Sequence, residues 1–130
     1  MYLKLSKWLW SIMFVLRQKS LYYELKHYIH NKESYFKRID ERDRGIGKTY
    51  TLIKLAKKYK CPIIVGNSRT KDYILSRISK KADVLIANEY LIGKKFDVAL
   101  CDEGISIDVI NQIVRPMVNV LIGYWDYRRS

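Results

Sequence analysis

The chain has 130 residues, and its 25 lysines and arginines exceed its 13 aspartates and glutamates, which gives a net charge of +12 at neutral pH. This length predicts one domain with a true core and leaves little room for a second lobe. The positive excess is spread along the chain, and it favours a polyanionic partner: nucleic acid, a nucleotide or an anionic membrane surface. A basic protein without such a partner is the alternative.

Residues 2–30 are predicted to form an N-terminal amphipathic helix. Its apolar run from Trp8 to Leu16 is nine residues long, whereas a membrane-spanning helix needs about 20. We therefore expect no transmembrane segment, and no small-residue cleavage site follows that would indicate a signal peptide. Three roles stay open: a helix packed on the domain, a helix on a membrane surface, or a helix that binds a protein partner or a second copy. We interpret His27 and His30 as exposed polar residues of this helix.

From residue 34 onward, strand-like and helix-like segments alternate, which is typical of a parallel sheet. We predict an α/β fold: a mostly parallel sheet of about five strands, with helices on both faces. Residues 1–33 form a helical extension in this scheme, and residues 34–130 form the compact domain. The predicted strands are 35–39, 62–65, 84–87, 98–101 and 118–122, and the predicted helices are 48–60, 67–79 and 106–114.

Two of the predicted helices have an apolar face. For the first helix this face consists of Leu52, Ile53, Leu55, Ala56 and Tyr59, and for the second it consists of Tyr73, Ile74 and Ile78. Cys61 and Cys101 each border an apolar strand, and their spacing matches no metal motif. We therefore predict two buried thiols in a reducing compartment.

The segment Arg42-Asp43-Arg44-Gly45-Ile46-Gly47-Lys48-Thr49 lies between a predicted strand and a predicted helix. At such a junction, backbone N–H groups converge on an anion and the helix dipole favours negative charge. The glycines let the chain curl around phosphates, Lys48 reaches the terminal phosphates, and the Thr49 hydroxyl coordinates Mg²⁺. The predicted nucleotide-binding residues are Arg42, Arg44, Gly45, Ile46, Gly47, Lys48, Thr49 and Tyr50.

This segment resembles the phosphate-binding loop (Walker A) of the P-loop NTPase superfamily, whose pattern is G-x-x-x-x-G-K-[ST]. Gly47-Lys48-Thr49 fits the end of the pattern, whereas Arg42 stands at the first glycine position. Arginine-rich, glycine-poor versions occur among viral packaging ATPases and some helicase-like proteins. The resemblance implies nucleotide binding more directly than it implies hydrolysis.

The apolar segment Phe96–Cys101 is followed by Asp102 and Glu103. A parallel sheet collects ligands at the carboxyl ends of its strands, so both acids are expected beside the phosphate loop. By resemblance this is a Walker B element of the additional-strand catalytic glutamate class. The resemblance implies that Asp102 holds Mg²⁺ through water and that Glu103 orients and deprotonates the attacking water. An Asp-Glu-Gly turn that closes an ordinary strand is the alternative.

Three other segments are weaker candidates. Arg115 would act as an arginine finger toward a neighbouring subunit, and Arg69 lies where helicase-like proteins contact nucleic acid. A solvated surface arginine is the alternative for each. The closing segment from Tyr124 to Arg129 mixes aromatic and basic residues, as single-strand binding surfaces do. It would equally suit a tail folded back onto the sheet.

The leading hypothesis is a small P-loop protein that binds ATP or another nucleoside triphosphate with Mg²⁺ and hydrolyses it on or near nucleic acid. A viral or mobile-element origin fits the short chain, with a cytoplasmic location (the host's, if viral). The second hypothesis is a non-hydrolysing binding module that contacts a partner or nucleic acid. A nucleoside or nucleotide kinase ranks third, because Asp102-Glu103-Gly104 resembles a segment of thymidine kinases.

Overall fold

A computed structural model describes the backbone of residues 2–39, 47–88 and 91–126, with their side chains except those of residues 2–7, 10 and 126. Two helices are not α-helical throughout. The third helix continues as π-helical turns over Ile74–Ile78. The fourth helix continues as π-helical turns over Ile110–Val114 and then as a 3₁₀ turn at Arg115–Met117. In chain order the elements are α1 (Tyr2–His30), β1 (Tyr35–Ile39), α2 (Lys48–Tyr59), β2 (Ile63–Val65), α3 (Ser68–Tyr73), β3 (Val84–Ile86), β4 (Phe96–Cys101), α4 (Ile107–Val109) and β5 (Val118–Asp126).

The five strands form one sheet in the order β1-β5-β4-β2-β3, and every neighbouring pair is parallel. The predicted α/β fold with about five strands is therefore confirmed. The last strand, β5, lies between β1 and β4, with Ile39 opposite Asp126 and Cys101 opposite Gly123. Because the strands are parallel, the carboxyl ends of β1 and β4 lie at the same edge of the sheet, with β5 between these two strands.

Helices cover both faces of the sheet, as predicted. On one face, Leu25 of α1, Leu52 of α2 and Ile74 pack on strand residues such as Ile63 and Ile122. The opposite face is covered by Ile110, Val114 and Met117, which pack on Ala99 and Leu121. Since neighbouring residues of a strand point to opposite faces, a parallel sheet covered in this way needs runs of consecutive apolar residues.

The helix α1 is continuous from Tyr2 to His30, and its two halves have different surroundings. Leu21, Leu25 and Ile29 are buried in the same core cluster as α2, so packing on the domain, one of the three roles left open, is observed for this half. In the first half the described apolar side chains from Trp8 to Leu16 are largely exposed. No described helix is long and apolar enough to cross a membrane.

The sequence placed Tyr73 on the core face of the third helix, and that prediction is wrong. Asn67 caps this helix, because its Oδ1 accepts a hydrogen bond from the Thr70 N–H. Ile74 is fully buried, whereas Tyr73 is 57% exposed. Neighbouring residues of a helix are about 100° apart around the axis. The helix can thus turn Ile74 toward the sheet while the polar end of Tyr73 stays in water.

The last strand is longer than predicted, because β5 continues beyond Ile122 to Asp126. Gly123 does not end it. A Cβ atom at Gly123 would lie 2.1 Å from the Cys101 carbonyl oxygen, so glycine is required by the close approach of β4 and β5. The extension brings Tyr124 into the sheet, where its side chain is 1% exposed.

Candidate functional site

The helix α2 begins directly after Gly47, which adopts the left-handed conformation with φ +77°. Glycine enters this region without the steric cost that a Cβ atom brings. A Cβ here would also lie 2.5 Å from Nε2 of Gln18, so α1 packs against the start of α2. Four predicted phosphate-loop residues, Arg42, Arg44, Gly45 and Ile46, lie outside the described part of the chain.

Lys48 and Glu103 are brought together from segments far apart in the sequence. Nζ of Lys48 lies 3.9 Å from Oε2 of Glu103, and Lys48 is 8% exposed. Lys48 occupies the first turn of α2, where the unpaired N–H groups and the helix dipole favour anions. The predicted phosphate-binding lysine and the predicted catalytic glutamate thus lie side by side at the carboxyl edge of the sheet.

Asp102 and Glu103 follow β4 at that edge. Asp102 is 6% exposed, and its backbone N–H donates a hydrogen bond of 3.0 Å to the Ile64 carbonyl of β2. The turn packs closely on the end of β2, because a Cβ atom at Gly66 would lie 2.4 Å from the Gly104 carbonyl oxygen. Contacts with β2 therefore fix the backbone of the turn that carries both carboxylates.

Tyr124 joins the last strand to the start of α2, a contact that was not predicted. Its hydroxyl group donates a hydrogen bond of 3.0 Å to the Lys48 carbonyl. Burial raises the pKa of Tyr124, and the negative charges of Asp102 and Glu103 raise it further, so the hydroxyl stays protonated as a donor. No local pattern could have revealed this contact, because 76 positions separate the two residues.

An open cavity of about 540 Å³ lies in front of Lys48 and Glu103. This volume falls within the usual range for small-molecule sites, about 300–1,000 Å³. The predicted residues Gly47, Lys48, Thr49, Tyr50 and Glu103 all line it, whereas Asp102 is not among its lining residues. Three further lining residues were not predicted for the site: Tyr73, Arg77 and Ile78.

Arg77 adds a positive charge to the lining of this cavity. It is exposed, lies on the π-helical turns after α3 and lines the same cavity as Lys48. Among the described lining residues, two cations therefore stand against one carboxylate, Glu103. A local excess of positive charge around an open cavity suits an anionic ligand, and arginine can bind phosphate oxygens with two parallel hydrogen bonds.

The two weaker arginine candidates lie apart from the cavity lining. Arg115 stacks over the ring of Phe36, 5.2 Å from its centroid, and its Nε donates to the Asn111 side chain at 2.9 Å. Phe36 packs on the sheet face opposite α2. Arg69 is exposed on the first turn of α3. An arginine-finger role for Arg115 and a nucleic-acid role for Arg69 stay predictions.

The mixed aromatic and basic segment from Tyr124 to Arg129 is described only in part. Tyr124 is buried and Trp125 is half-buried within β5, whereas the Asp126 side chain and residues 127–130 lie outside the described part of the chain, so a single-strand binding role for this segment stays a prediction. His27 and His30 are exposed at the end of α1, as predicted. Within the described residues, no three histidine, cysteine or carboxylate side chains form a metal-binding cluster.

Both cysteines are buried, as predicted from their apolar neighbours. Burial raises the pKa of the Cys61 thiol to about 11. The pKa of Cys101 is also raised by burial, and the Asp102 charge adds to this effect. Both thiols are therefore protonated near neutral pH and weakly nucleophilic.

No family model matches the chain, and comparisons with curated proteins and with solved structures found no match. The geometry at the carboxyl edge of the sheet is therefore the basis for assigning a function.

Proposed function

We propose that this protein binds a nucleoside triphosphate with Mg²⁺ at the cavity and hydrolyses it, with ATP as the expected substrate. The observation that carries the proposal is the 3.9 Å approach of Lys48 and Glu103 at the carboxyl edge of a parallel sheet. Because the cavity opens at the N-terminus of α2, the phosphates would lie against the first turn of this helix.

Each residue of the edge has a role in such a reaction. Lys48, assisted by Arg77, would bind the terminal phosphates. The Thr49 hydroxyl and the Asp102 carboxylate are oxygen donors of the kind that Mg²⁺ prefers, and Mg²⁺ keeps several of its waters. Glu103 would orient the attacking water and accept its proton. Hydrolysis of this kind depends on positioning and charge neutralisation, so these groups are sufficient.

The order of the strands supports the resemblance to P-loop NTPases of the additional-strand class. In this class one strand separates the strand before the phosphate loop from the strand that carries the acids. Here β5 occupies that place between β1 and β4. The net charge of +12 supports action on or near nucleic acid. A cytoplasmic location, the host's if the protein is viral, belongs to the same proposal.

Nucleotide binding and turnover are tested with two variants. We expect ATP with Mg²⁺ to raise the melting temperature of the wild type, and Lys48→Ala to abolish this shift because the phosphates lose their main cation. Glu103→Gln should retain the shift but lower the ATPase rate about 100-fold or more, because only the base is lost. Lys94→Ala and Asp108→Asn, exposed positions away from the cavity, are the matched controls.

The outcomes separate the competing functions. If no nucleoside triphosphate with Mg²⁺ stabilises the wild type, the proposal fails. Binding without turnover would overturn the hydrolase part and leave the non-hydrolysing module. Phosphate transfer to an added nucleoside, with loss of that transfer in Glu103→Gln, would favour the kinase.

A further inference from the structure

A second concave surface lies between α1 and α2, and it shares no lining residue with the cavity at Lys48 and Glu103. It has a volume of about 490 Å³. We call it the α1–α2 groove. Its walls include Lys19, Tyr22 and Tyr23 from α1 and Thr51, Lys54 and Lys57 from α2. Lysines and tyrosines thus predominate among the residues that line it.

The positive charge of this surface has little compensation from carboxylates on the same helices. The sequence of α2 contains no acidic residue, and Glu24 is the only one in α1. Glu24 is engaged elsewhere, because it accepts hydrogen bonds from Tyr35 and Lys37 on β1. The helices therefore bring their lysines together without neutralising them.

Lys26 and Lys58 extend the basic surface beyond the groove. The nearby side chain of Lys26, on the facing helix, lowers the pKa of Lys58. Two like charges held in proximity are stabilised by an anion between them. The surface is thus suited to a ligand that carries several negative charges in a row.

The tyrosines add exposed rings between these cations. Tyr23 is 62% exposed; Tyr50, which directly precedes the groove residue Thr51 and also lines the cavity at Lys48, is 47% exposed. Nζ of Lys54 lies 5.0 Å from the centroid of the Tyr50 ring, and Nζ of Lys26 lies 5.7 Å from that of Tyr23. Aromatic rings between lysines are the usual platform for unpaired bases, because every base can stack on a ring.

We propose that the α1–α2 groove binds single-stranded nucleic acid, with its lysines on the phosphates and its tyrosines under the bases. A concave surface between two helices accommodates a linear chain, whereas a membrane surface requires a convex or flat face. Bases in a duplex are stacked on each other, so the exposed rings favour a single strand. The proposal rests on the nucleic-acid part of the proposed function and is independent of nucleotide hydrolysis.

The test is binding of a fluorescein-labelled oligothymidylate about 20 nucleotides long, followed by anisotropy between about 50 and 200 mM NaCl. The double variant Lys54→Gln/Lys57→Gln should bind at least about 10-fold more weakly at low salt, and its log–log salt slope should be smaller by about 1.4, or 0.7 per lost phosphate contact. Lys80→Gln/Lys94→Gln removes the same charge from exposed turns before β3 and β4, and should change the affinity far less.

The stacking part is tested by Tyr23→Ala, an exposed position where truncation leaves the core intact. We expect a loss of about 5- to 150-fold in affinity with an unchanged salt slope, because one base loses its ring but no phosphate contact is removed. An equally tight complex with a duplex of the same length would overturn the single-strand assignment.

Several results would overturn the groove itself. They are an absence of oligonucleotide binding at low salt, an equal loss in the two double variants, or binding only to vesicles that contain phosphatidylglycerol. Stabilisation by ATP and Mg²⁺, measured on the same variants, keeps the two proposals apart. If Lys54→Gln/Lys57→Gln retains that stabilisation but not the oligonucleotide, only the groove is affected. If ATP never stabilises the protein while the oligonucleotide binds, the nucleotide site fails and the groove stands.

Discussion

Lys48 is a cation with 8% exposure, an uncommon environment for lysine. Burial of a charge is costly unless opposite charge and hydrogen bonds compensate. Glu103 supplies part of that compensation from 3.9 Å, a distance at which the pair is close but not in tight contact. A phosphate group at the cavity would approach Lys48 more closely and bring more negative charge. An anionic ligand bound beside Lys48 would therefore stabilise the protein.

The hydrogen bond from Tyr124 to the Lys48 carbonyl leads to a prediction about stability and binding. Tyr124→Phe removes this hydrogen bond from the start of α2, so we expect the free energy of unfolding to fall by about 0.5–1.5 kcal/mol. We also expect weaker ATP binding, because the first turn of α2 loses a support. Urea unfolding and ATP titration measure the two effects. Tyr59→Phe, the same change at the far end of α2, is the control, and an equal effect there would contradict the prediction.

Among the elements, α1 is attached to the sheet by polar contacts as well as by its buried leucines. Glu24 accepts hydrogen bonds from Tyr35 and from Lys37 of β1, the latter at 2.9 Å. Burial raises the pKa of Glu24, but these hydrogen bonds and the Lys37 charge outweigh it and leave the pKa below its usual value. The ionised carboxylate is thus the form that the folded state prefers.

This contact predicts how stability depends on pH. A carboxyl group with a lowered pKa in the folded state stabilises it above the unfolded pKa, and the contribution is lost as the pH falls through the folded pKa. Glu24→Gln should therefore lower the free energy of unfolding by about 1 kcal/mol at neutral pH, and the difference from wild type should shrink below about pH 4.5. Unfolding of both proteins across this range, with exposed Glu33→Gln as control, measures it. A difference that stays constant with pH would contradict it.

On the scale of the whole molecule, the net charge of +12 acts against the compact state. The proximity of Lys26 and Lys58 is a local case of the same repulsion. Screening shortens the range of such repulsion from about 30 Å at 0.01 M salt to about 10 Å at 0.1 M. Ionic strength should therefore affect the stability of this protein more than that of a neutral one.

We predict that the melting temperature of the ligand-free protein rises when NaCl is increased from about 0.01 to 0.1 M. Lys58→Gln should raise it at low salt and flatten the salt dependence, because one of two adjacent like charges is removed. Thermal unfolding at both concentrations provides the comparison, with Lys94→Gln as the control. A melting temperature that falls with salt would show that attractive ion pairs outweigh the repulsion.

Local patterns in the sequence were enough to predict the elements and the fold class. The run Ile63-Ile64-Val65 is typical of a strand buried on both faces, as observed, and the apolar face of α2 matches its buried residues Leu52, Ile53, Leu55 and Ala56. Predictions failed at residues whose type fits two different structural roles. Gly123 is a close-approach position rather than the end of β5, and Tyr73 is a polar aromatic residue beside a buried isoleucine.

The sequence by itself determined that Lys48 and Glu103 would lie at one edge of the sheet, because parallel strands all end there and both residues follow a predicted strand. Only the tertiary structure decided which distant residues complete that edge and which helices form a groove. Packing between segments far apart in the chain positions the Tyr124 hydroxyl, the Arg77 side chain and the lysines of α1 and α2. Periodicity and spacing are local properties, and they carry no information about which faces of these helices meet.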